Sequence, residues 1–324
     1  MADLISTPSY TGQVDNAGDL LARHRDQLAG FIELAYHNTP KASDFFTKIP
    51  NVKKGKSVTV PIVGTTDAQY IDAGVEMKGT NKVPINDVTI FIDKILESDI
   101  FVADDDELMA ERTFRQEKAG EMGKALAEIE DRQCFIQGVK SARGNAQVKD
   151  DVGGSIISEA NMDSDSAVVA HAIFQAAKII EEKKLPRSMF RAFISPLTYF
   201  SLAENKDAIN SLWKGLGSYA EGEIIKIAGI RLEMTNNLPK GKLENMTGAR
   251  NDYSGDFTNT VALIAHPKAV GIARLMGVQT RVVDQKHRNG ALLIARQMQG
   301  VGELFHKYAI ELAKTAATQN TEST

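Results

Sequence analysis

Cysteine is almost absent from this chain of 324 residues. Cys134 stands alone, which excludes a disulfide within the chain and any CxxC metal site. In its apolar helical setting it reads as a small buried hydrophobe, not a reactive thiol. Long apolar runs are missing as well. No segment approaches the roughly twenty uninterrupted apolar residues that a membrane helix needs. The opening MADLISTPSY puts Asp3 where a signal peptide carries cations, and no apolar stretch follows it. A basic excess is also lacking: the net charge of −4 and pI near 5.9 argue against a dedicated nucleic-acid binder, which normally shows a strongly basic face. These absences predict a soluble protein made in a reducing cytoplasm, with no membrane partner. The 43% hydrophobic content is enough for the core of one large domain or two ordinary ones.

The signals of catalysis are missing in turn. His24-Arg25-Asp26 spells a kinase tripeptide but lies in an amphipathic helical pattern, without the Gly-rich loop, VAIK or DFG that give it meaning. No GxxxxGK[ST] or GxGxxG follows a strand, and Gly300-Val301-Gly302 reads as a turn or bulge. His24, His37, His171, His266, His287 and His306 share no metal-ligand spacing and read as surface or half-buried residues. Ser195 lacks the GxSxG elbow. The acidic run Asp104-Asp105-Asp106-Glu107 suits a solvated helix start better than a cation site, and Lys53-Lys54-Gly55-Lys56 suits a charged turn. No catalytic, cofactor-binding or metal-binding residue emerges, and no enzyme is expected.

What the chain does hold is concentrated between Lys53 and Arg132. KSVTVPIVG puts Val58, Val60 and Ile62 on one face of a strand, and DVTIFIDKI does the same with Val88, Ile90 and Ile92. The polar, Gly-containing stretch AQYIDAGVEMKGTNKVP joins them into a long projecting hairpin. A two-stranded hairpin cannot bury enough apolar surface to stand alone in water, so it must lie on something, which in an assembling protein is a neighbouring subunit. Next comes a long helix, opening at Ala103-Asp104-Asp105-Asp106-Glu107 and ending near Gly138. Its acidic start suits the positive end of the helix dipole, and Glu111/Arg115 and Glu128/Arg132 are spaced for ion pairs. Phe114, Met122, Leu126 and Ile129 form a narrow apolar stripe, so one side packs and the rest is wet or meets partners.

Upstream, GDLLARHRDQLAGFIELAYH is an amphipathic helix, with Leu20, Leu21, Leu28, Phe31, Ile32 and Ala35 on its apolar side. Downstream, KSARGNAQVKDDVGGSI reads as a linker. DSDSAVVAHAIFQAAKIIEEKKLP is a capped helix with a proline stop, RAFISP a short buried strand, and LTYFSLAENKD a short helix. IIKIAGIRLEMTNNLP gives strands ending in a turn. The polar insert KGKLENMTGARNDYSGDF precedes the strand TVALIAHP. KAVGIARLM looks helical, ALLIARQMQGVG looks like the last strand, and TAATQNTEST reads as a disordered tail.

The order of PNVKKGKSVTVPIVGTTDAQYIDAG, ILESDIFVADDDELMAERTFRQE, FISPLTYFSLAE, AGIRLEMTNNLP and AHPKAVGIARLMGVQTRVV…GALLIARQMQGVGELF resembles the major capsid proteins of tailed bacteriophages. The resemblance runs from about residue 15 to 312 and is strongest to short-tailed phages of the T-seven group. It implies an α+β, Hong Kong-97-type fold. Residues 1–49 resemble the N-arm, 50–97 the extended E-loop and 98–149 the P domain with its spine helix. Residues 150–285 resemble the A domain, 286–312 the return to the P domain, and 313–324 a disordered tail. The function implied is structural: hexamers and pentamers of the chain form an icosahedral virion shell around double-stranded DNA, held without sequence preference. The partners implied are the chain itself, a scaffolding protein, a portal protein and a decoration protein, with assembly in the host bacterial cytoplasm. Because the E-loop of this fold lies across a neighbour, Lys53, Lys54, Lys56, Lys78 and Lys82 are expected to meet Asp104, Asp105 and Asp106 of another subunit. An isopeptide-welded branch of the fold exists, for which Lys78, Lys82 or Asn81 could serve, but no catalytic glutamate accompanies them and non-covalent assembly is expected. Two alternatives remain on sequence alone, an encapsulin-like cargo shell and an α/β enzyme built on residues 160 to 285.

Overall fold

The computed structural model of the chain describes residues 30–36, 42–50, 55–66, 68, 70, 82–103, 112–149, 151–163, 165–204, 216–218 and 223–314. Along the chain run helix α1 (30–36), helix α2 (Ala42–Phe45), and strands β1 (Thr47–Lys48), β2 (Ser57–Val63), β3 (Ile85–Phe91) and β4 (Leu96–Ala103). The long helix α3 (Arg112–Arg143) follows, then β5 (Ser155–Ser158), α4 (Ser166–Glu182), β6 (Arg191–Ile194) and α5 (Pro196–Glu204). Next come β7 (Leu216–Ser218), β8 (Glu223–Ile227), β9 (Ile230–Met234), β10 (Lys242–Leu243), β11 (Gly255–Asp256) and β12 (Thr260–Ala265). Two long strands, β13 (Val270–Gln285) and β14 (Gly290–Glu303), precede the final β15 (Ala309–Ala313). The chain divides into two compact units: Met1–Pro40, Ile95–Glu130 and Met276–Gln299 form one, and Lys41–Lys94, Asp131–Leu275 and Gly300–Thr324 the other.

In the first unit, β4 pairs antiparallel with β14, Leu96 opposite Gln297 through Ala103 opposite Gly290. The alternation of a strand then sorts the side chains: Val102, Leu293 and Ala295 turn inward onto Met122 and Leu126 of α3 and Ile32 and Tyr36 of α1. Gly123 lets the two helices approach, because a Cβ there would run into the Ile32 carbonyl. The Tyr36 hydroxyl donates to the buried carboxylate of Glu130.

The second unit is organised by a mixed seven-stranded sheet, in the order β5-β15-β12-β6-β9-β8-β7. Its central strands are buried on both faces, which explains why RAFI and TVALIA read as unbroken apolar runs. Ala192, Ile194, Ala262 and Ile264 face the stripe Val169, Ala172, Ile173, Ala176 and Ile180 of α4. Phe193, Leu263 and Ala265 face the other way, onto Phe135 and Val139 of α3 and Phe45 and Phe46. Helix α4 begins where the Asp165 carboxylate accepts the Ala167 N–H at 2.9 Å, a side-chain cap on an otherwise unpaired donor.

Several sequence expectations are corrected. Helix α3 runs past Gly138 to Arg143, so the linker starts at Gly144, and Ala103 ends strand β4 instead of opening a helix. The narrow stripe holds at Met122 and Leu126 but not farther on, where Gln133, Cys134, Phe135, Ile136, Gln137, Gly138 and Val139 are all buried. Polar residues survive there because they are bonded, as when the Gln137 amide donates to the Asp252 carbonyl at 2.8 Å. KAVGIARLM is not helical. After a single 3-10 turn it becomes the start of β13, paired parallel to β1, with Val270, Gly271, Ile272 and Ala273 all buried. ALLIARQMQGVG is not the last strand either, since β15 follows and completes the seven-stranded sheet. Gly300 and Gly302 do not form a turn: they are strand positions of close approach, where a Cβ would meet the Phe91 carbonyl and the Ile90 side chain respectively.

Candidate assembly interface

Strands β2 and β3 form a two-stranded sheet that pairs with no other strand among the described residues. Their register sets Val58 opposite Ile90, Val60 opposite Val88 and Val63 opposite Ile85. Period-two alternation gives the ribbon two unlike faces. Val58, Val60 and Ile90 turn in, onto Ala273, Leu304, Ile49 and Phe305. The opposite face carries Thr59, Thr89, the cross-strand pair Val63 (57% exposed) and Ile85 (67%), and Phe91 (46%). Among the described residues, nothing covers these three large apolar side chains on one face of the ribbon.

The ribbon's root is clamped. The carboxylate of Asp93, buried at 7% exposure, accepts the Arg250 N–H at 2.6 Å, the Asn251 N–H at 3.0 Å and the Tyr253 hydroxyl at 2.6 Å. Asn251 adds a reciprocal pair to Phe91: its amide donates to the Phe91 carbonyl at 2.6 Å and its Oδ1 accepts the Phe91 N–H at 3.1 Å. The Tyr253 hydroxyl accepts the Val301 N–H at 3.2 Å. Burial, then the negative charge of Asp93, pushes the Tyr253 phenol far above its usual range, so it stays a donor. The polar insert of residues 240–257 is therefore no free loop; its Arg250–Tyr253 stretch fixes the angle at which the ribbon leaves the fold.

A second clamp holds the ribbon's far side. The Asn86 amide donates to the Gln147 carbonyl at 2.7 Å, and Gln147 Oε1 accepts the His306 N–H at 3.2 Å. The His306 ring is wedged between two acceptors, the Asn145 carbonyl at 2.7 Å from Nδ1 and Glu303 at 2.9 Å from Nε2. A neutral imidazole has one N–H and can satisfy only one of them; the imidazolium satisfies both. Burial opposes the charge, yet the hydrogen bond and charge of Glu303 and the Asn145 carbonyl outweigh it, and the His306 pKa is raised. A raised folded-state pKa stabilises fully below the unfolded value, about 6.5, and that stability is lost as pH rises through the folded value. The urea midpoint of the unassembled chain should therefore fall between pH 6 and pH 9, and His306→Gln should remove most of that fall. An equal fall in both proteins would refute the assignment.

Of the charged residues expected at a subunit contact, Lys56 and Lys82 are exposed, Lys56 at the ribbon's root and Lys82 beside β3. Lys53, Lys54, Lys78, Asp104, Asp105 and Asp106 lie outside the described residues. The sequence reading missed Asp93, Asn251, Tyr253 and His306. Among the histidines, His266 is buried, between the rings of Phe190 and Tyr308. Burial, with Lys268 nearby, lowers its pKa to about 4. No cluster of metal-ligating side chains occurs among the described residues, and no helix there is long and apolar enough to cross a membrane.

This architecture matches known shells. The family model for Gp10A-like major capsid proteins matches residues 59–313. The major capsid protein of Escherichia phage T7 is 20% identical over 319 residues, covering 89% of this chain and 90% of that one. The capsid structure of Cyanophage P-SCSP1u superposes with a TM-score of 0.78 at 30% identity, covering 85% of this chain and 88% of its own. The mature capsid of bacteriophage PhiM1 superposes with a TM-score of 0.71 at 16% identity, over 85% and 87% of the two chains, a likeness of fold. The chain belongs to the Gp10A-like family of major capsid proteins, and its role is a structural one in the shell of a tailed-phage virion.

Proposed function

We propose that hexamers and pentamers of this chain close into an icosahedral shell around double-stranded DNA, assembling without a covalent weld and without catalysis. The β2–β3 ribbon is part of the E-loop, residues 50–97, which lies across a neighbouring subunit. The N-arm (1–49), P domain (98–149 and 286–312) and A domain (150–285) complete the subunit. Lys53, Lys54, Lys56, Lys78 and Lys82 of one subunit meet Asp104, Asp105 and Asp106 of the next. A scaffolding protein, a portal and a decoration protein take part, and assembly proceeds in the host cytoplasm.

The observation that supports this most is the ribbon with its root clamped and one apolar face uncovered: a rigid arm whose packing partner is outside the subunit. The acidic balance, net charge −4, suits a wall that lets packaged DNA slide, since each neutralised phosphate would add nearly one unit to the salt slope of DNA binding. Imaging shells made in the host together with their contents tests the reading. Icosahedral particles filled with DNA are expected; shells filled with an enzyme cargo would transfer the chain to the encapsulin class.

A further inference from the structure

Within the first unit, strands β13, β14 and β4 lie side by side in that order, with β4 at the edge. The only strand on the other side of β13 among the described residues is β1, which meets it at Gly271 and Ile272, outside this unit. Among the described residues, β13 is thus a second edge from Met276 to Gln285. The two edges carry opposite charge. The outward residues of β4 are Glu97, Asp99 and Phe101, all exposed, while those of β13 are Gly277, Gln279, Arg281 and Val283, also exposed. Asp99 and Arg281 form no hydrogen bond or ion pair among the described residues.

The order of residues matches too. On β4 the acid stands two positions before an exposed aromatic, Asp99 then Phe101 (38% exposed); on β13 the base stands two positions before an exposed aliphatic, Arg281 then Val283 (37%). The strands also point the same way. β4 is antiparallel to β14. β14 is joined to β13 by the short turn Lys286–Arg288 and Asn289, too short for anything but an antiparallel return. A second copy set beside the first in the plane of the sheet therefore brings its β13 alongside β4 in parallel, with Asp99 beside Arg281 and Phe101 beside Val283 in one register. Other copies fail: β4 against β4 sets acid on acid.

We propose that the β4 edge of one copy docks laterally on the β13 edge of the next, a head-to-tail contact that repeats around a closed ring of subunits. This rests on the reading of the chain as a self-assembling shell protein, and it concerns surfaces distinct from the β2–β3 ribbon. An exposed parallel edge also offers unpaired backbone groups, so the charges select which edge may approach. Within one chain Asp99 and Arg281 stand two strand spacings apart, roughly 10 Å, too far to pair with each other.

The test compares full-length Asp99→Arg, Arg281→Asp and the double swap, reading by light scattering the protein concentration at which shells appear. Each single change replaces an attraction with a repulsion at every contact and should raise that concentration roughly tenfold. The double swap restores opposite charges between copies and should return to within about twofold of the parent. Parent shells that form while the single variants assemble equally well, or a swap no better than either single variant, would overturn the contact alone. A parent chain that forms no shell at any concentration would overturn the shell reading and this contact with it.

Discussion

Deleting Thr66–Lys82 and closing the β2–β3 ribbon with a short Asn-Gly turn should abolish shell formation while leaving the subunit folded. The fold survives because nothing in the described core depends on the removed stretch. The ribbon's anchors lie below it: Asp93 with Asn251 and Tyr253, the Asn86–Gln147 bond, and Val58, Val60 and Ile90 against Ala273 and Leu304. The Gly64 N–H already closes on the Pro84 carbonyl at 2.8 Å, so the shortened ends stand in place for a turn. Shortening a loop changes closure entropy by only about 0.6 kcal/mol per halving. The shell is lost because a stable subunit contact buries above about 1,000 Å², and in the proposed contact the deleted stretch contributes to it. Circular dichroism and urea unfolding report the fold, and sedimentation reports the shell. Normal particles from the deleted chain would show that the arm is not a contact.

The second large effect is expected at the end of the long helix. Arg143 makes a two-pronged pair with Glu311 of β15, Nε to Oε2 at 2.6 Å and Nη2 to Oε1 at 2.7 Å. Glu311 is fully buried, and Thr260 also donates to it at 2.6 Å. Arg143 spends its remaining fork on the Asp256 carbonyl at 2.7 Å and lies over the Phe257 ring. Removing one partner leaves the other charge buried and unpaired, a loss of about 3–5 kcal/mol. Arg143→Ala should therefore destabilise the unassembled chain by that amount in urea titration, and Glu311→Ala by a similar amount. Replacing both by apolar residues of like volume should recover most of it, because the desolvation cost goes with the charges. The exposed pair Lys48–Asp44 is the control, with a loss below about 1 kcal/mol. A double apolar variant as unstable as the sum of the single ones would contradict this reading.

Much of the fold is legible in the sequence wherever one element's own pattern decides the outcome. The period-two valines and isoleucines of β2 and β3 predict their pairing, and Asp165 before an apolar stripe, with Pro186 after it, predicts α4. The start of β13 is illegible for the opposite reason: Val270, Gly271, Ile272 and Ala273 are buried without alternation, so no period separates strand from helix. The clamps were hidden because they join residues far apart in the chain. Asp93 sits 160 positions from Tyr253, and nothing local about an aspartate after a strand announces that a tyrosine will bond it. Arg143 reads as part of a polar linker until Glu311 is seen beside it. The charged contact residues were named from a resemblance, and of them only Lys56 and Lys82 fall among the described residues, both exposed.

The central claim is that this chain's function is to assemble with copies of itself, and the mass of the purified full-length protein in solution tests it most directly. Light scattering coupled to size separation should find capsomers or closed particles in the megadalton range. A monodisperse monomer or dimer at every concentration and salt tried, in a correctly folded preparation, would contradict it.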